Sequence, residues 1–300
     1  MSFPVLFRSY GGDNRKGRPE WFSKATALAS VVRAAEVAGA ELVFVNNGPI
    51  PEDRLRVMES AGTVVTLPGV GVHESYLSAL RLATSGRWAD DQLVWISEDD
   101  YLYHPEALRR LERAAETITT ADYFALYANN PVEPQPRPAP PVHRPRGWVD
   151  LPPWDVDGER WERIYSTTAT FGARVGALRE DLSLFRFATV PHKNMFRDHD
   201  TSMLYQGFET YPWSTVARAA VGRSEGTPRE RLREVAMSPF YAATNLRSHR
   251  RRDRRRLLVA PRPDLATHGE SGYAYPGQDW AGIAAEADAW QRARDGDAAG

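Results

Sequence analysis

The sequence predicts an α/β protein built on a mainly parallel, Rossmann-like sheet with helices on both faces. Three observations predict it. Short apolar runs alternate with amphipathic stretches through residues 1–130. Each apolar run stops at Gly, Pro, Asn or acidic residues, the usual punctuation between elements. The stretches between the runs hold roughly 10–15 residues, the helix length expected of βαβ units.

The elements follow in order. Val5–Ser9 reads as a strand and Trp21–Ala38 as an Ala-rich amphipathic helix. Leu42–Val45 is a second strand ending in Asn46-Asn47-Gly48. Glu52–Ser60 is a helix with Pro51 near its first turn, where a missing N–H costs little. Thr63–Leu67, stopped by Pro68-Gly69, is the third strand, and His73–Thr84 the third helix. Leu93–Ser97, Pro105–Thr117 and Tyr123–Tyr127 continue the alternation. Crossovers between parallel strands are right-handed, and ligands of such sheets bind outside the carboxyl ends of the strands. That rule places Ser9-Tyr10, Asn46-Asn47 and Glu98-Asp99-Asp100 on one rim.

Beyond residue 130 the pattern changes. Asn130–Arg146 contains Pro-Val-Glu-Pro-Gln-Pro-Arg-Pro-Ala-Pro-Pro, which can enter neither a helix nor a sheet interior. It reads as a solvated loop, or as a segment covering the site. Trp148, Trp154 and Trp161 flank it, either packing beneath it or stacking on a ring of the substrate. Later segments are less regular. Tyr165–Phe171 and Leu257–Ala260 look like strands, and Arg174–Leu184, Asp198–Gln206, Arg229–Met237 and Ala281–Arg292 like helices, with a frayed end from Asp295.

Composition narrows the function classes. The 300 residues are 42% hydrophobic and carry a formal net charge of −1, so generic nucleic-acid coating is not indicated. There is no cysteine, which excludes thiolate metal sites, disulfides and a cysteine nucleophile. Neither a signal peptide nor an apolar run of transmembrane length is present, so the expectation is a soluble, cytoplasmic protein without membrane insertion.

The chemistry concentrates in Leu93-Val94-Trp95-Ile96-Ser97-Glu98-Asp99-Asp100, an apolar strand running into three consecutive acids. Crowded carboxylates repel one another, and burial raises their pKa values. Hard oxygen ligands in a strand-end crevice suit Mg²⁺ or Mn²⁺ shared with a diphosphate. The competing reading is a solvated acidic turn ahead of a helix.

Placed after a buried strand, Ser97-Glu98-Asp99-Asp100 resembles the metal-binding signature of GT-A glycosyltransferases, in a form similar to the N-acetylglucosaminyltransferase I type. The order of elements from Val5 to Gln206 resembles the family 2-like group. The resemblance implies an enzyme that takes a nucleotide-sugar donor, UDP- or GDP-linked, to an acceptor hydroxyl with Mn²⁺ or Mg²⁺. It divides the chain into a nucleotide-sugar half (1–130), a Pro/Trp-rich loop (131–162) and an acceptor-side half (163–300) within one integrated domain.

It also implies roles. Asp100 is the main metal ligand, with Glu98 and Asp99 near metal, ribose or water. Arg8, Ser9, Tyr10, Asn46 and Asn47 lie along the nucleotide, and His73 begins the helix that contacts the donor. Ser166–Arg174 is similar to the acceptor-side strand. Arg197-Asp198-His199-Asp200 resembles the stretch that supplies the catalytic base, with Asp198 the better match and Asp200 the fallback. Asp155 or Asp157 is a distant alternative. A late histidine returns to the metal in several such enzymes, and His268 matches it; by itself it reads equally well as a loop histidine.

The run His249–Arg256 carries six arginines. It is either a solvated face or a contact for donor phosphates or for a polyanionic acceptor such as nucleic acid, an anionic lipid head or a teichoic-type polymer. Two alternatives stay open: a sugar-phosphate nucleotidyltransferase, whose Gly-rich first loop would correspond to Ser9–Gly17, and an inactive GT-A-like binding module. A dehydrogenase is excluded because no Gly-x-Gly-x-x-Gly follows the first strand.

Overall fold

The computed structural model describes residues 2–12, 17–128, 144–189, 196–274 and 277–298. Most of the Pro-rich stretch lies outside the described residues, and so does Asp13–Lys16 of the first loop. The first half follows the predicted alternation: β1 (Pro4–Tyr10), α1 (Lys24–Ala38), β2 (Glu41–Asn47), α2 (Glu52–Ala61), β3 (Thr63–Leu67), α3 (Val72–Ala83) and β4 (Leu93–Glu98). A short strand, β5 (Tyr101–Tyr103), then precedes α4 (Ala107–Thr117) and β6 (Tyr123–Phe124). Next come β7 (Trp154–Val156), β8 (Glu159–Arg163), β9 (Phe171–Arg174), α5 (Val175–Ala188), α6 (Asp198–Tyr205), α7 (Trp213–Ala220) and α8 (Pro228–Arg250). The chain ends with β10 (Leu258–Arg262), β11 (Ala266–His268) and α9 (Trp280–Ala298).

One nine-stranded sheet runs in the order β3-β2-β1-β4-β9-β6-β10-β8-β7. Tracing the pairings across it, β1 to β4, β6, β7 and β10 point one way and only β9 and β8 oppose them, so the sheet is mainly parallel. Its first four strands have the 3-2-1-4 order of the nucleotide-binding half of doubly wound sheets.

Alternation along the strands builds two cores. Val5, Phe7 and Trp95 face Leu28, Val31, Leu108 and Leu111 of α1 and α4. Leu6, Val94 and Ile96 face Tyr76, Leu80, Leu178 and Phe185 of α3 and α5. Strands buried on both faces read as continuous apolar runs, which is how β1 and β4 read. Helix α1 starts where the Ser23 side chain accepts from the Thr26 N–H, and it stops at Gly39, whose φ of 65° favours glycine.

Several expectations change. The strand expected at Tyr165–Phe171 begins only at Phe171. Strand β9 inserts between β4 and β6, and a Cβ on Gly172 would stand 3.1 Å from the Trp95 ring. Part of the expected 131–162 loop is the β7–β8 hairpin, turned by Asp157-Gly158 with φ of 54° and 82°. Asp155 and Asp157 are therefore turn residues rather than bases: Asp155 accepts from the Gly158 N–H at 2.9 Å, and Asp157 pairs with Arg113 at 3.3 Å. Trp161 packs within the α1/α4-side core. Helix α8 is longer than expected, started by a reciprocal Thr227/Glu230 capping box and passing through Pro239.

Candidate functional site

At the carboxyl ends of the first strands lies a cleft of about 880 Å³. In-register pairing sets its floor: Ser9 lies beside Asn46, Tyr10 beside Asn47, and Arg8 beside Glu98. From the far side, the β5–β11 ribbon pairs Tyr101 with His268 and swings that histidine over the acids. The Gly269 N–H donates to the Asp100 carbonyl at 2.7 Å, and only glycine fits there, because a Cβ would strike the Phe22 ring.

Every acid of the cluster has a cationic or imidazole neighbour. Glu98 pairs with Arg8 at 3.1 Å and Asp99 with Lys24 at 2.8 Å. Asp100 faces His268 Nε2 at 3.2 Å, with Arg18 at 3.9 Å. Burial pushes the Glu98 carboxyl up from its ordinary value, with Asp100 adding to the rise and Arg8 opposing it. Arg8 is itself held by more than charge: its guanidinium lies 5.1 Å from the Tyr76 ring centroid and 5.5 Å from that of Phe196. The lining carries Glu98, Asp99, Asp100, Asp198 and Glu270 against Arg8 and Lys24. Among the described lining residues carboxylates outnumber fixed cations, with Arg18 standing behind Asp100.

Arg8, Ser9, Tyr10, Asn47, Glu98, Asp99, Asp100, Asp198 and His268 all line this cleft. Asp198, the first residue of α6, acts across it: after burial, its charge is the next cause that raises the Tyr76 hydroxyl pKa.

Other candidates stand elsewhere. Asp200 is buried, accepting from Arg197 at 2.7 Å and from the Tyr211 hydroxyl at 2.5 Å, and is not on the lining. The cause is helical geometry, since residues two apart do not share a face. Asn46 is buried within β2 and also off the lining. The Asn47 side chain is occupied at both ends by Val70, donating to its carbonyl and accepting from its N–H at 2.8 Å each, so it holds the 68–71 turn. His73 packs on Phe196, ring centroids 5.5 Å apart, outside the lining.

The basic run is at the other end of the molecule. It leads into β10, which runs parallel to β6 and so in the same sense as β4, and therefore lies at the amino ends of the strands. Arg256 binds Asp122 and Asp181 at 3.2 and 3.0 Å, and Arg251 binds Asp181. These two arginines are structural, and the segment cannot hold donor phosphates in the cleft.

Lys24 was not visible as a site residue in the sequence. Its Nζ donates to Asp99, to the Tyr10 carbonyl at 2.9 Å and to the Gly12 carbonyl at 2.7 Å, tying the first loop to the acids. Its only local signal is a position opening α1, which a solvated lysine shares. Tyr127 and Tyr273 also line the cleft and were equally silent, whereas Thr168, on the same lining, belongs to the Ser166–Arg174 stretch singled out above.

Asp100 and His268 have the donor chemistry for Mn²⁺ or Mg²⁺. Among the described residues no three His, Cys, Asp or Glu side chains converge into a complete cage. Mg²⁺ needs no such cage, since it takes one or two carboxylates and fills its shell with water and phosphate oxygens.

TarS of S. aureus superposes on this chain with a TM-score of 0.41 at 14% identity, covering 83% of this chain and 43% of TarS. The chain thus spans less than half the length of intact TarS. TarS 1–349 in complex with UDP-GlcNAc gives 0.40 at 14% identity, covering 68% and 52%. The 4-diphosphocytidyl-2C-methyl-D-erythritol synthase gives 0.40 at 15% identity, covering 67% and 84%. No protein-family model and no curated protein matches the chain.

Proposed function

We propose that this chain is a metal-dependent glycosyltransferase that moves a sugar from a nucleoside diphosphate to an acceptor hydroxyl. One observation carries the reading: a carboxylate-rich cleft at the carboxyl ends of β1, β2 and β4 in which Asp100 faces His268 and Asp198 enters from a separate element. A diphosphate would be repelled by that lining alone. Asp100 and His268 would hold Mn²⁺ or Mg²⁺, which when bound would supply the positive charge that a diphosphate leaving group needs.

The protein's own residues do the rest. Arg8, braced by Glu98 and two aromatic rings, offers a fixed cation on the cleft floor. Lys24 keeps the Tyr10 loop closed on Asp99. Asp198 takes the proton of the acceptor hydroxyl as its oxygen attacks the anomeric carbon and the nucleoside diphosphate departs.

The test is release of nucleoside diphosphate from a panel of UDP- and GDP-sugars. Turnover with Mn²⁺ that EDTA abolishes supports the reading, and no release with any donor refutes it.

A nucleotidyltransferase is the second reading. It is favoured by Lys24 and Arg18 standing against the same acids, where a triphosphate would need cations. It predicts pyrophosphate from a nucleoside triphosphate plus a sugar 1-phosphate, and the two products separate the readings.

A further inference from the structure

Helix α8 has two unlike faces. Met237, Tyr241, Thr244, Asn245 and Ser248 are buried on its inner side, where Met237 and Tyr241 cluster with Val216 and Ala219 of α7. The outer side carries Leu232, Ala236, Pro239, Ala243 and Leu246, spaced four and three residues apart, the period that keeps side chains on one face of a helix. Leu232 is 71% exposed and Leu246 51%. Ala236 and Pro239 are exposed as well, and Ala243 is half-buried. Trp213, 46% exposed, meets Leu246 and Arg252 around a shallow pocket of about 250 Å³.

Exposed arginines border this stripe at both ends: Arg229 and Arg233 at its start, Arg247 and Arg250 at its finish, and Arg252 and Arg254 in the turn beyond. The acids within the helix are engaged locally, Glu230 in the N-terminal cap and Glu234 with the Tyr241 hydroxyl at 3.0 Å. Exposed Asp253 lies between Arg252 and Arg254, and Glu209 shares the pocket with Trp213, so the surface is apolar along its middle and carries more arginines than acids at its margins.

We propose that α8 is an interfacial helix through which this protein docks on the surface of an anionic lipid bilayer. The Leu232–Leu246 stripe and Trp213 enter the headgroup boundary, and the bordering arginines meet the lipid phosphates. Apolar side chains bounded by Arg and Trp are the composition that such an interface takes up. A nucleic acid would satisfy the arginines and leave the leucines against water and phosphate. A second copy of the chain would cover the leucines, but a two-fold pairing along this stripe would set arginine against arginine. Docking is peripheral: among the described residues no helix is long and apolar enough to cross a membrane.

The test is co-sedimentation of the whole chain with vesicles of phosphatidylcholine, alone or mixed with an equal part of phosphatidylglycerol. Binding to the mixed vesicles, weakened by salt and absent from phosphatidylcholine alone, is expected. Leu246→Glu should weaken partition about tenfold, and Arg250→Glu with Arg254→Glu by at least as much. All three side chains are exposed, so a matching circular dichroism spectrum and Tm confirm the variants' fold. Failure to bind the mixed vesicles overturns the proposal. So does tight binding to duplex DNA or RNA that Leu246→Glu leaves unchanged, or a dimer that Leu246→Glu dissociates in the absence of any vesicle binding. The readout uses no donor and no turnover, so its failure is distinct from failure of the transferase reading.

Discussion

The two ends of the parallel strands handle acidic charge in opposite ways. At the carboxyl ends, Glu98, Asp99 and Asp100 line an open cleft, Glu98 beside Arg8, Asp99 beside Lys24, and Asp100 between His268 and Arg18. At the amino ends, Asp181 is fully buried between Arg251 and Arg256 and accepts from the Tyr123 hydroxyl at 3.0 Å. Burial is the first cause acting on both Glu98 and Asp181, and it raises both pKa values even though guanidinium groups oppose it. What separates them is access and balance. The closed set is buried and ties α5 to the segment after α8, whereas the open set lines a cleft and is reachable. A row of acids becomes a candidate site through its surroundings, not its composition.

That contrast can be broken experimentally. The largest effect should come from Asp100→Ala: Mn²⁺-dependent release of nucleoside diphosphate should fall about 10³-fold as several kcal/mol of charge stabilisation are lost, with Tm barely moved. Near-normal turnover would show that the open acids do not serve the chemistry. Asp198→Asn should lower kcat about 10²-fold at unchanged KM for the donor, whereas an equal rise in KM would make Asp198 a binding residue.

At the closed end, Asp181→Asn should cost about 3–5 kcal/mol, because two guanidinium groups lose their buried counter-ion. Thermal unfolding should shift down on the order of 10 °C, with donor KM in the remaining folded protein unchanged. A silent Asp181→Asn would mean that the two ends differ less than their geometry implies.

The smallest effect concerns His199, next to Asp198 and held below its ordinary pKa by burial. Its folded pKa is below its unfolded one, so the unfolded chain binds the extra proton. Stability should therefore fall as pH drops through about 6.5 and level off below the folded pKa. His199→Gln should flatten that slope in pH-dependent denaturation, and an unchanged slope would assign it to another group.

Much of the first half was legible in the sequence. Strands β1 to β4 and the helices between them fall within a few residues of where periodicity puts them, because a strand buried on both faces writes itself as an apolar run and a surface helix as a 3.6-residue period. The rim followed from topology, which puts Ser9, Tyr10, Asn46, Asn47 and the three acids together, and all but Asn46 line the cleft, whereas Arg8 was named only through the family resemblance. Strands β5, β7, β8 and β11 hold three to five residues each and exist because a partner strand is present, so no local period announces them. The Asp157-Gly158 turn was the one readable trace of the hairpin.

Sequence by itself determined the alternation, the two-sided burial and the row of carboxylates at a strand end, since each depends on residues adjacent along the chain. Only the tertiary structure decided that His268 reaches Asp100, that Lys24 ties the first loop to Asp99, that Asn47 serves a turn, that Asp198 and Asp200 part company on α6, and that the arginine run sits at the far end of the sheet. Each of these is a distance between residues remote in sequence, or the direction of one side chain, and such quantities are set by the register and packing of whole elements.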